Sequence, residues 1–122
     1  PSPHRSWSGL VRIPVTWADD VHMHQARPFT LDAMSLAGGG PHVLDFHPVH
    51  VALNSGTVEA YVAFKKRLFE TDTPLSEVTQ EETAPFVNPG PGTSTLLDQL
   101  LNHLTGRPSP TLSDLTKPLW CP

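Results

Sequence analysis

Two clusters of carboxylates and histidines contain the side chains of this sequence that could do chemistry. The first cluster reads Asp19-Asp20-Val21-His22-Met23-His24 and the second reads Asp45-Phe46-His47-Pro48-Val49-His50. Histidine exchanges protons near neutral pH, because the pKa of a free imidazole is about 6.5. The same residue types bind divalent metals, with a neutral imidazole nitrogen as ligand and a carboxylate orienting the ring. The clusters therefore indicate proton transfer or metal binding, and the residue types alone leave both open.

His47 stands apart from the other histidines because of its place in the sequence. It follows an apolar run and directly precedes Pro48, so it falls at the end of a predicted strand and is a candidate for proton transfer. Asp45 lies inside that strand, where a carboxylate needs either a partner or solvent. Three other histidines are more typical of surface positions or hydrogen-bonded core positions: His22, His24 and His50.

The residues just before and at the start of the first cluster have two interpretations each. Asp19 and Asp20 fit a turn as well as a site, since Asp is common where the chain changes direction. Trp17 is more typical of a core than of a binding site. An indole face also packs against the CH faces of a sugar, however, and Trp17 is the tryptophan best placed to line a sugar pocket.

Two predicted strands have to bring the clusters together. Residues 9–17 alternate between apolar and other residues, which predicts a strand, and Pro14 restricts it to an edge or a bulge. Residues 42–54 are apolar almost throughout, as in a buried parallel strand that ends near His47, before Pro48. Parallel strands place their carboxyl ends at one edge of the sheet, so both clusters would meet there.

The remaining elements are predicted from caps and periodicity. A short helix is expected from Thr30 or Asp32 to Ala37, and a second helix follows the cap at residues 54–57. Leucines at 96, 97, 100, 101 and 104 predict a third helix with a core-facing stripe. The order of elements predicts an α/β fold. We treat residues 1–122 as one partial domain, with site-bearing strands and helix at 9–70, an irregular loop at 71–92, and a closing helix and tail at 93–122.

Composition excludes several classes of function. The formal net charge of −4 argues against a nucleic-acid-binding protein, and there is no apolar run of the length that crosses a membrane. The single cysteine, Cys121, cannot form an intrachain disulfide, which fits a reducing cytoplasmic compartment. The usual nucleotide, zinc-protease, serine-hydrolase and dithiol motifs are absent.

Two segments resemble the last two site-bearing segments of the polysaccharide deacetylase family (NodB homology). They read Ile13-Pro14-Val15-Thr16-Trp17-Ala18-Asp19-Asp20 and Val43-Leu44-Asp45-Phe46-His47-Pro48-Val49-His50-Val51-Ala52-Leu53-Asn54. The most similar subgroup is the one linked to surface polysaccharide synthesis, and the resemblance extends over residues 9–116. It implies that the fold is the C-terminal portion of a distorted (β/α) barrel.

The resemblance also implies a function, which is the metal-dependent removal of acetyl groups from a carbohydrate. His47 matches the general acid that protonates the leaving amine, and Asp19 or Asp20 resembles the aspartate that orients it. Trp17 resembles a wall of the substrate pocket. His50 is a second candidate substrate-binding residue; it has no counterpart in the general family, so any match is to the subgroup. The expected partner is an acetylated carbohydrate, and the expected cofactor is a divalent metal such as zinc.

The sequence departs from the family pattern at the metal site. The paired aspartates and the His-x-x-x-His motif of the family have no counterpart here, so we expect most of the metal site to be missing from this chain, we assign no metal ligand in it, and we expect no activity from it alone. The sequence begins with Pro1 in what looks like the middle of a domain, which leads us to expect a piece of a longer protein. Two alternatives stay open: a non-catalytic carbohydrate-binding or structural remnant of the fold, and a metal binder that uses His22, His24, His47 and His50.

Overall fold

The computed structural model describes residues 3–36 and 41–120, in which helices and short strands are mixed. The predicted α/β class is therefore confirmed. Four strands form two separate two-stranded sheets. The strands are β1 (His4–Arg5), β2 (Val11–Arg12), β3 (Trp17–Ala18) and β4 (Leu44–Asp45). A closed barrel is not formed by these strands.

Six α-helices and three 3₁₀ turns make up the rest of the regular structure of the described residues. The helices are α1 (Asp19–His24), α2 (Pro48–Ala52), α3 (Val58–Thr71), α4 (Gln80–Thr83), α5 (Thr93–Leu104) and α6 (Leu112–Trp120), and the turns are Asp32–Met34, Leu75–Glu77 and Ala84–Phe86. No helix in the described part of the chain has the length and hydrophobicity needed to span a membrane.

The parallel pairing expected for the site-bearing strands is confirmed. β3 and β4 run parallel, with Trp17 opposite Leu44 and Ala18 opposite Asp45. Thr16 extends the pairing, because its hydroxyl donates to the Val43 carbonyl at 3.0 Å and accepts from the Val43 N–H at 3.1 Å. Both strands therefore end at the same edge of the sheet, and the clusters that follow them start there.

The predicted lengths of the two strands were wrong. Residues 9–17 do not form one strand, because Val11–Arg12 pairs antiparallel with His4–Arg5 and pairing starts again only at Trp17. Pro14 lies in the interruption, where it has no N–H to give to a ladder. The second strand is also shorter than predicted, but it ends close to the predicted position near His47, and the segment after His47 is a helix. Pro48 is its first residue, a position that suits proline because the missing N–H has no helical partner there.

The core contains side chains from both halves of the chain. Its buried members are Trp17, Met23, Phe29, Met34, Leu96 and Leu100. The predicted leucine stripe on α5 is correct at Leu96 and Leu100, whereas Leu101 is 57% exposed and Leu104 is 43% exposed. On α3, Phe64 is buried, whereas Val62 and Phe69 are exposed. On both α3 and α5, the other described residues bury only part of the apolar surface of the helix.

The other predicted elements differ from the structure in detail. The helix expected from residue 30 or 32 is a 3₁₀ turn at Asp32–Met34, and its predicted end at Ala37 lies outside the described residues. The cap at residues 54–57 is confirmed, since the Thr57 side chain accepts from the Ala60 N–H. Residues 71–92 contain both of the later 3₁₀ turns and α4.

The start of α5 fixes the segment that follows α2. Asn54 adopts a left-handed conformation with φ of 45°. Its side-chain amide donates to the carbonyls of Asn88 and Gly90, and its side-chain oxygen accepts from the Thr95 N–H. Gly92 packs directly on the Asn54 backbone, and a Cβ at Gly92 would come within 2.0 Å of the Asn54 carbonyl oxygen. This clasp between Asn54 and Gly92 holds α2 against α5.

The close approach at Gly92 gives a stability prediction. Gly92→Ala should lower the free energy of unfolding by about 3 kcal/mol, because the added methyl group forces the clasp apart. Urea denaturation followed by circular dichroism measures the change. Gly90→Ala is the matched control, since its Cβ would meet no atom nearer than 3.5 Å, and it should change stability by less than about 1 kcal/mol. Equal losses in the two variants would contradict the clasp.

Candidate active site

One carboxylate and one histidine lie next to each other at the ends of the two parallel strands. Asp19 is the first residue of α1 and follows β3 directly, while His47 caps the N-terminus of α2 two residues after β4. Because β3 and β4 are in register, these two residues lie side by side although 28 positions separate them in sequence. The predicted convergence of the clusters at the sheet edge is thus realised at Asp19 and His47.

Asp19 and His47 form a hydrogen-bonded dyad. Asp19 is fully buried, and its Oδ1 lies 2.6 Å from Nδ1 of His47. Its Oδ2 accepts the backbone N–H of His47 at 2.9 Å, and Oδ1 also accepts the N–H of Asp20 at 2.8 Å. The carboxylate therefore holds the proton on Nδ1 of His47 and fixes the plane of the ring. Nε2 has no partner among the described residues, so it is the nitrogen that can exchange a proton with a ligand.

The pKa of His47 is raised above its ordinary value. The largest cause is the hydrogen bond to Asp19, and the negative charges of Asp19, Asp45 and Asp20 act in the same direction, while burial opposes them. The side chain remains 42% exposed, so solvent reaches the ring. His47 therefore holds its proton to higher pH than a free histidine and can replace it from water.

A second histidine lies beside the dyad with the opposite shift. The rings of His50 and His47 are 5.6 Å apart in an edge-to-face arrangement. His50 is 5% exposed, and burial, the largest cause, lowers its pKa. Its ring packs edge-on against Tyr61 at 4.7 Å. The site thus pairs a histidine that favours the charged form with a histidine that favours the neutral form.

A small cavity of about 230 Å³ opens beside the two histidines. Asp20, Met23, His24, Val58 and Tyr61 complete its lining. Apolar and polar groups are mixed on its walls, as in most ligand pockets. Asp20 contributes to the lining but does not bond His47, since its Oδ1 accepts the N–H of Val21. Of the two aspartates considered from the sequence, Asp19 is the one in contact with His47.

Trp17 and His22 lie in the core behind the dyad. The indole N–H of Trp17 donates to Nδ1 of His22 at 3.1 Å, so Nε2 of His22 carries the proton and donates to the Pro28 carbonyl at 3.0 Å. Both ring nitrogens of His22 are used in this way, as expected for a hydrogen-bonded core histidine. Trp17 is 8% exposed and packs on Phe46, so little of its surface is open to a ligand. Its role as a pocket wall stays a prediction.

Among the described residues, one group could hold a metal ion by distance alone. Asp19, His47 and His50 each offer an atom, and these atoms lie within 4.8 Å of one another. Two ligands of one tetrahedral zinc are about 3.3 Å apart, because each lies about 2.0 Å from the metal. The 2.6 Å between Asp19 Oδ1 and His47 Nδ1 is instead the distance of a charge-assisted hydrogen bond. As arranged, Asp19 Oδ1 and His47 Nδ1 do not fit as two ligands of one zinc ion.

Sequence reasoning missed two residues that shape the site. Ser55 is fully buried, and its hydroxyl lies 3.3 Å from Nδ1 of His50. Tyr61 borders the cavity and packs on His50. No spacing rule identifies Ser55, because its contact with His50 depends on the end of α2. The i, i+4 spacing from Thr57 does place Tyr61 on the first turns of α3.

Comparison with known proteins gives two similarities. The family model of the WbmS-like polysaccharide deacetylases matches residues 1–65. The crystal structure of WbmS from Bordetella bronchiseptica, a proposed polysaccharide deacetylase involved in O-antigen biosynthesis, is similar with a TM-score of 0.63 and 30% sequence identity. The similarity covers 84% of this chain but 39% of the WbmS chain, so this chain spans well under half of that protein's length. No curated protein matches the sequence.

The dyad predicts how the His47 pKa responds to loss of the carboxylate. Asp19→Asn should lower the pKa of His47, because the hydrogen bond to Asp19 is the largest cause of its raised value. A pH titration of ¹⁵N-labelled imidazoles by NMR measures the pKa. An unchanged His47 pKa would show that the dyad does not exist in solution.

The same shift links stability to pH with a definite sign. Because the folded-state pKa of His47 is above the unfolded value of 6.5, its contribution to stability is fully present below pH 6.5 and is lost as pH rises through the folded-state pKa. Urea denaturation at a series of pH values should show this loss in the wild-type chain. His47→Gln removes the titrating group, so its stability should lack that step.

The distances in the dyad also predict the response to zinc. We expect no tight one-to-one binding of Zn²⁺ by the 122-residue chain in calorimetric titration, because the metal would have to separate Asp19 from His47 and because His22 has no free nitrogen. This outcome would remove the reading of the chain as a histidine-rich metal binder. Tight stoichiometric binding that disappears in both His47→Ala and His50→Ala would overturn our interpretation of the distances.

Proposed function

This chain belongs to the WbmS-like polysaccharide deacetylase family, and from that premise we propose that it contributes the proton-donating side of a carbohydrate deacetylase site. The observation that carries the proposal is the hydrogen bond of 2.6 Å between the buried carboxylate of Asp19 and the ring of His47. The whole protein would be a hydrolase that removes acetyl groups from sugars. The chain would form the C-terminal portion of the (β/α) barrel of that enzyme.

The proposed reaction is hydrolysis of an acetamido group. Water adds to the acetyl carbonyl carbon, the C–N bond breaks, and the products are acetate and the free amine of the sugar. The leaving nitrogen needs a proton, since an amide anion is a very poor leaving group. His47 supplies that proton from Nε2, and Asp19 keeps Nδ1–H in place and stabilises the imidazolium beforehand.

The other candidate residues have supporting parts in the proposal. Asp20 lines the cavity and adds negative charge near His47, which favours the protonated ring. His50 and Trp17 remain proposed substrate-binding residues, and His50 is the one of the two that borders the cavity. The cavity of about 230 Å³ is of a size that suits a single substituted sugar ring. The proposed partner is therefore an acetylated carbohydrate.

A divalent metal is part of the proposal for the whole protein. When bound, such a metal polarises the acetyl carbonyl and lowers the pKa of the attacking water. We assign it no ligand among the described residues, because Asp19 and His47 are hydrogen bonded at a distance too short for two ligands of one zinc. What this chain does in the proposal is to bind one face of the sugar and to deliver a proton.

Acetate release tests the proposal on protein expressed from its complete coding sequence. With acetylated sugars and added Zn²⁺ or Co²⁺, we expect acetate to form. His47→Ala should reduce kcat by about 10²- to 10⁴-fold, because the leaving amine loses its proton donor. The rate should fall as pH rises through the His47 pKa, since the donor must be protonated, and Asp19→Asn should move that fall to lower pH.

A matched control and two contrary outcomes complete the test. His103→Ala removes an exposed histidine from α5 and should change kcat less than about twofold. Full activity in His47→Ala would end the general-acid assignment. Sugar binding with no acetate release from any acetylated sugar would favour the non-catalytic carbohydrate-binding remnant instead.

A further inference from the structure

His50 is a buried imidazole that the packing of the chain does not require. It is 5% exposed and lies between the rings of His47 and Tyr61. An aromatic hydrocarbon of the same size would fill this place without the cost of burying a polar ring. Among the described residues, only the Ser55 hydroxyl bonds to it, at Nδ1, so Nε2 has no protein partner. No side-chain nitrogen or oxygen of the described residues is both buried and without a hydrogen-bond partner, so Nε2 is open to solvent although most of the ring is buried. An accessible polar atom of this kind beside a cavity is typical of a ligand contact.

Ser55 is held in place before any ligand arrives. Its N–H donates to the His50 carbonyl at 2.9 Å, and its carbonyl accepts from both the N–H and the hydroxyl of Thr93 at 3.0 Å. The neighbouring Asn54 is fixed by the clasp to α5. The Ser55 hydroxyl therefore has a defined position, and its contact with Nδ1 sets both the tilt of the His50 ring and which nitrogen is committed to the protein.

The ring of His50 has little freedom to move away from the cavity. Tyr61 contacts it edge-on from α3, and His47 contacts it from the side of the dyad. The cavity is bordered by His47, His50 and Tyr61, whereas Ser55 does not border it. With Nδ1 directed to Ser55, Nε2 is the nitrogen left for a molecule in the cavity.

We propose that His50 is a specificity-determining residue of the deacetylase site and that Ser55 is its positioning residue. Nε2 of His50 forms a hydrogen bond with a hydroxyl group of the sugar ring. It is the same sugar ring that carries the acetamido nitrogen protonated by His47. This inference rests on the proposed function. The rings of His47 and His50 are 5.6 Å apart, a separation comparable with that of two substituents on one sugar ring. A hydroxyl suits a neutral imidazole because it can donate or accept.

Discrimination between two small ligands tests the inference. The probes are N-acetylglucosamine, which has ring hydroxyls, and N-cyclohexylacetamide, which has the same acetamido group on a ring without hydroxyls. Binding is measured by NMR titration of protein expressed from its complete coding sequence. We expect the wild type to bind the sugar at least about tenfold more tightly, the value of one good hydrogen bond. His50→Phe and Ser55→Ala should each remove most of that preference by weakening the sugar alone.

Two further measurements separate positioning from folding. In the wild type, N-acetylglucosamine should shift the ¹⁵N signal of His50 Nε2, and N-cyclohexylacetamide should not; this readout needs no variant. Ser55→Ala should change the tautomer populations of His50, and Ser55→Thr, which keeps the hydroxyl, should restore them. Ser76→Ala, at an exposed serine of the 3₁₀ turn Leu75–Glu77, is the matched control and should bind both probes as the wild type does.

The outcomes distinguish this inference from the proposed function. Three outcomes would each overturn the role of His50, whether or not acetate is released. They are equal affinity of the wild type for the two probes, an unchanged ¹⁵N signal of His50 at saturating sugar, and no binding of either probe. Where acetate is released, KM for the sugar should rise about tenfold in Ser55→Ala while the pH dependence set by His47 stays in place. Absence of acetate release with the expected discrimination would overturn the proposed function and leave the sugar contact standing.

Discussion

The buried carboxylate of Asp19 is the constraint on which the site depends. It is fully buried, and an isolated carboxylate in that position would be strongly destabilising. It is stabilised by two backbone N–H groups and the ring of His47, so the end of β3 and the start of α2 are joined through one side chain. The register of β3 and β4 and the orientation of His47 are therefore set together. A change that moves either strand end also moves the ring of His47.

The sequence indicated the location of this site better than the shapes of the elements around it. Asp19 and His47 each follow an apolar run, and parallel strands bring such positions together by geometry alone. The first strand was predicted too long, because branched apolar residues favour strands locally while Pro14 interrupts pairing. At Pro48, the preference of proline for the first turn of a helix outweighed the β-branched residues after it.

Burial and hydrogen-bond partners depend on tertiary contacts, and there the sequence was a weaker guide. His22 and His50 looked alike from the sequence, but Trp17 and Pro28 use both nitrogens of His22, while the described residues use one nitrogen of His50. Ser55 had no recognisable signal, because its position follows from the clasp that α5 makes with the end of α2. The sequence also did not predict that part of the leucine stripe on α5 is exposed, because periodicity identifies an apolar face but not how much of that face other residues cover.

The two histidines beside the cavity show how one small sheet edge produces two kinds of hydrogen-bonding group. His47 is partly exposed and bonded to a buried carboxylate, which raises its pKa, whereas His50 is buried with a hydroxyl as its partner, and burial lowers its pKa. Pairs of titratable groups whose environments shift their pKa values in opposite directions are typical of acid–base sites. A metal bound through Asp19 and His47 would have to break the hydrogen bond that raises the His47 pKa. The proposed proton delivery by His47 therefore depends on the same hydrogen bond that such a metal would break.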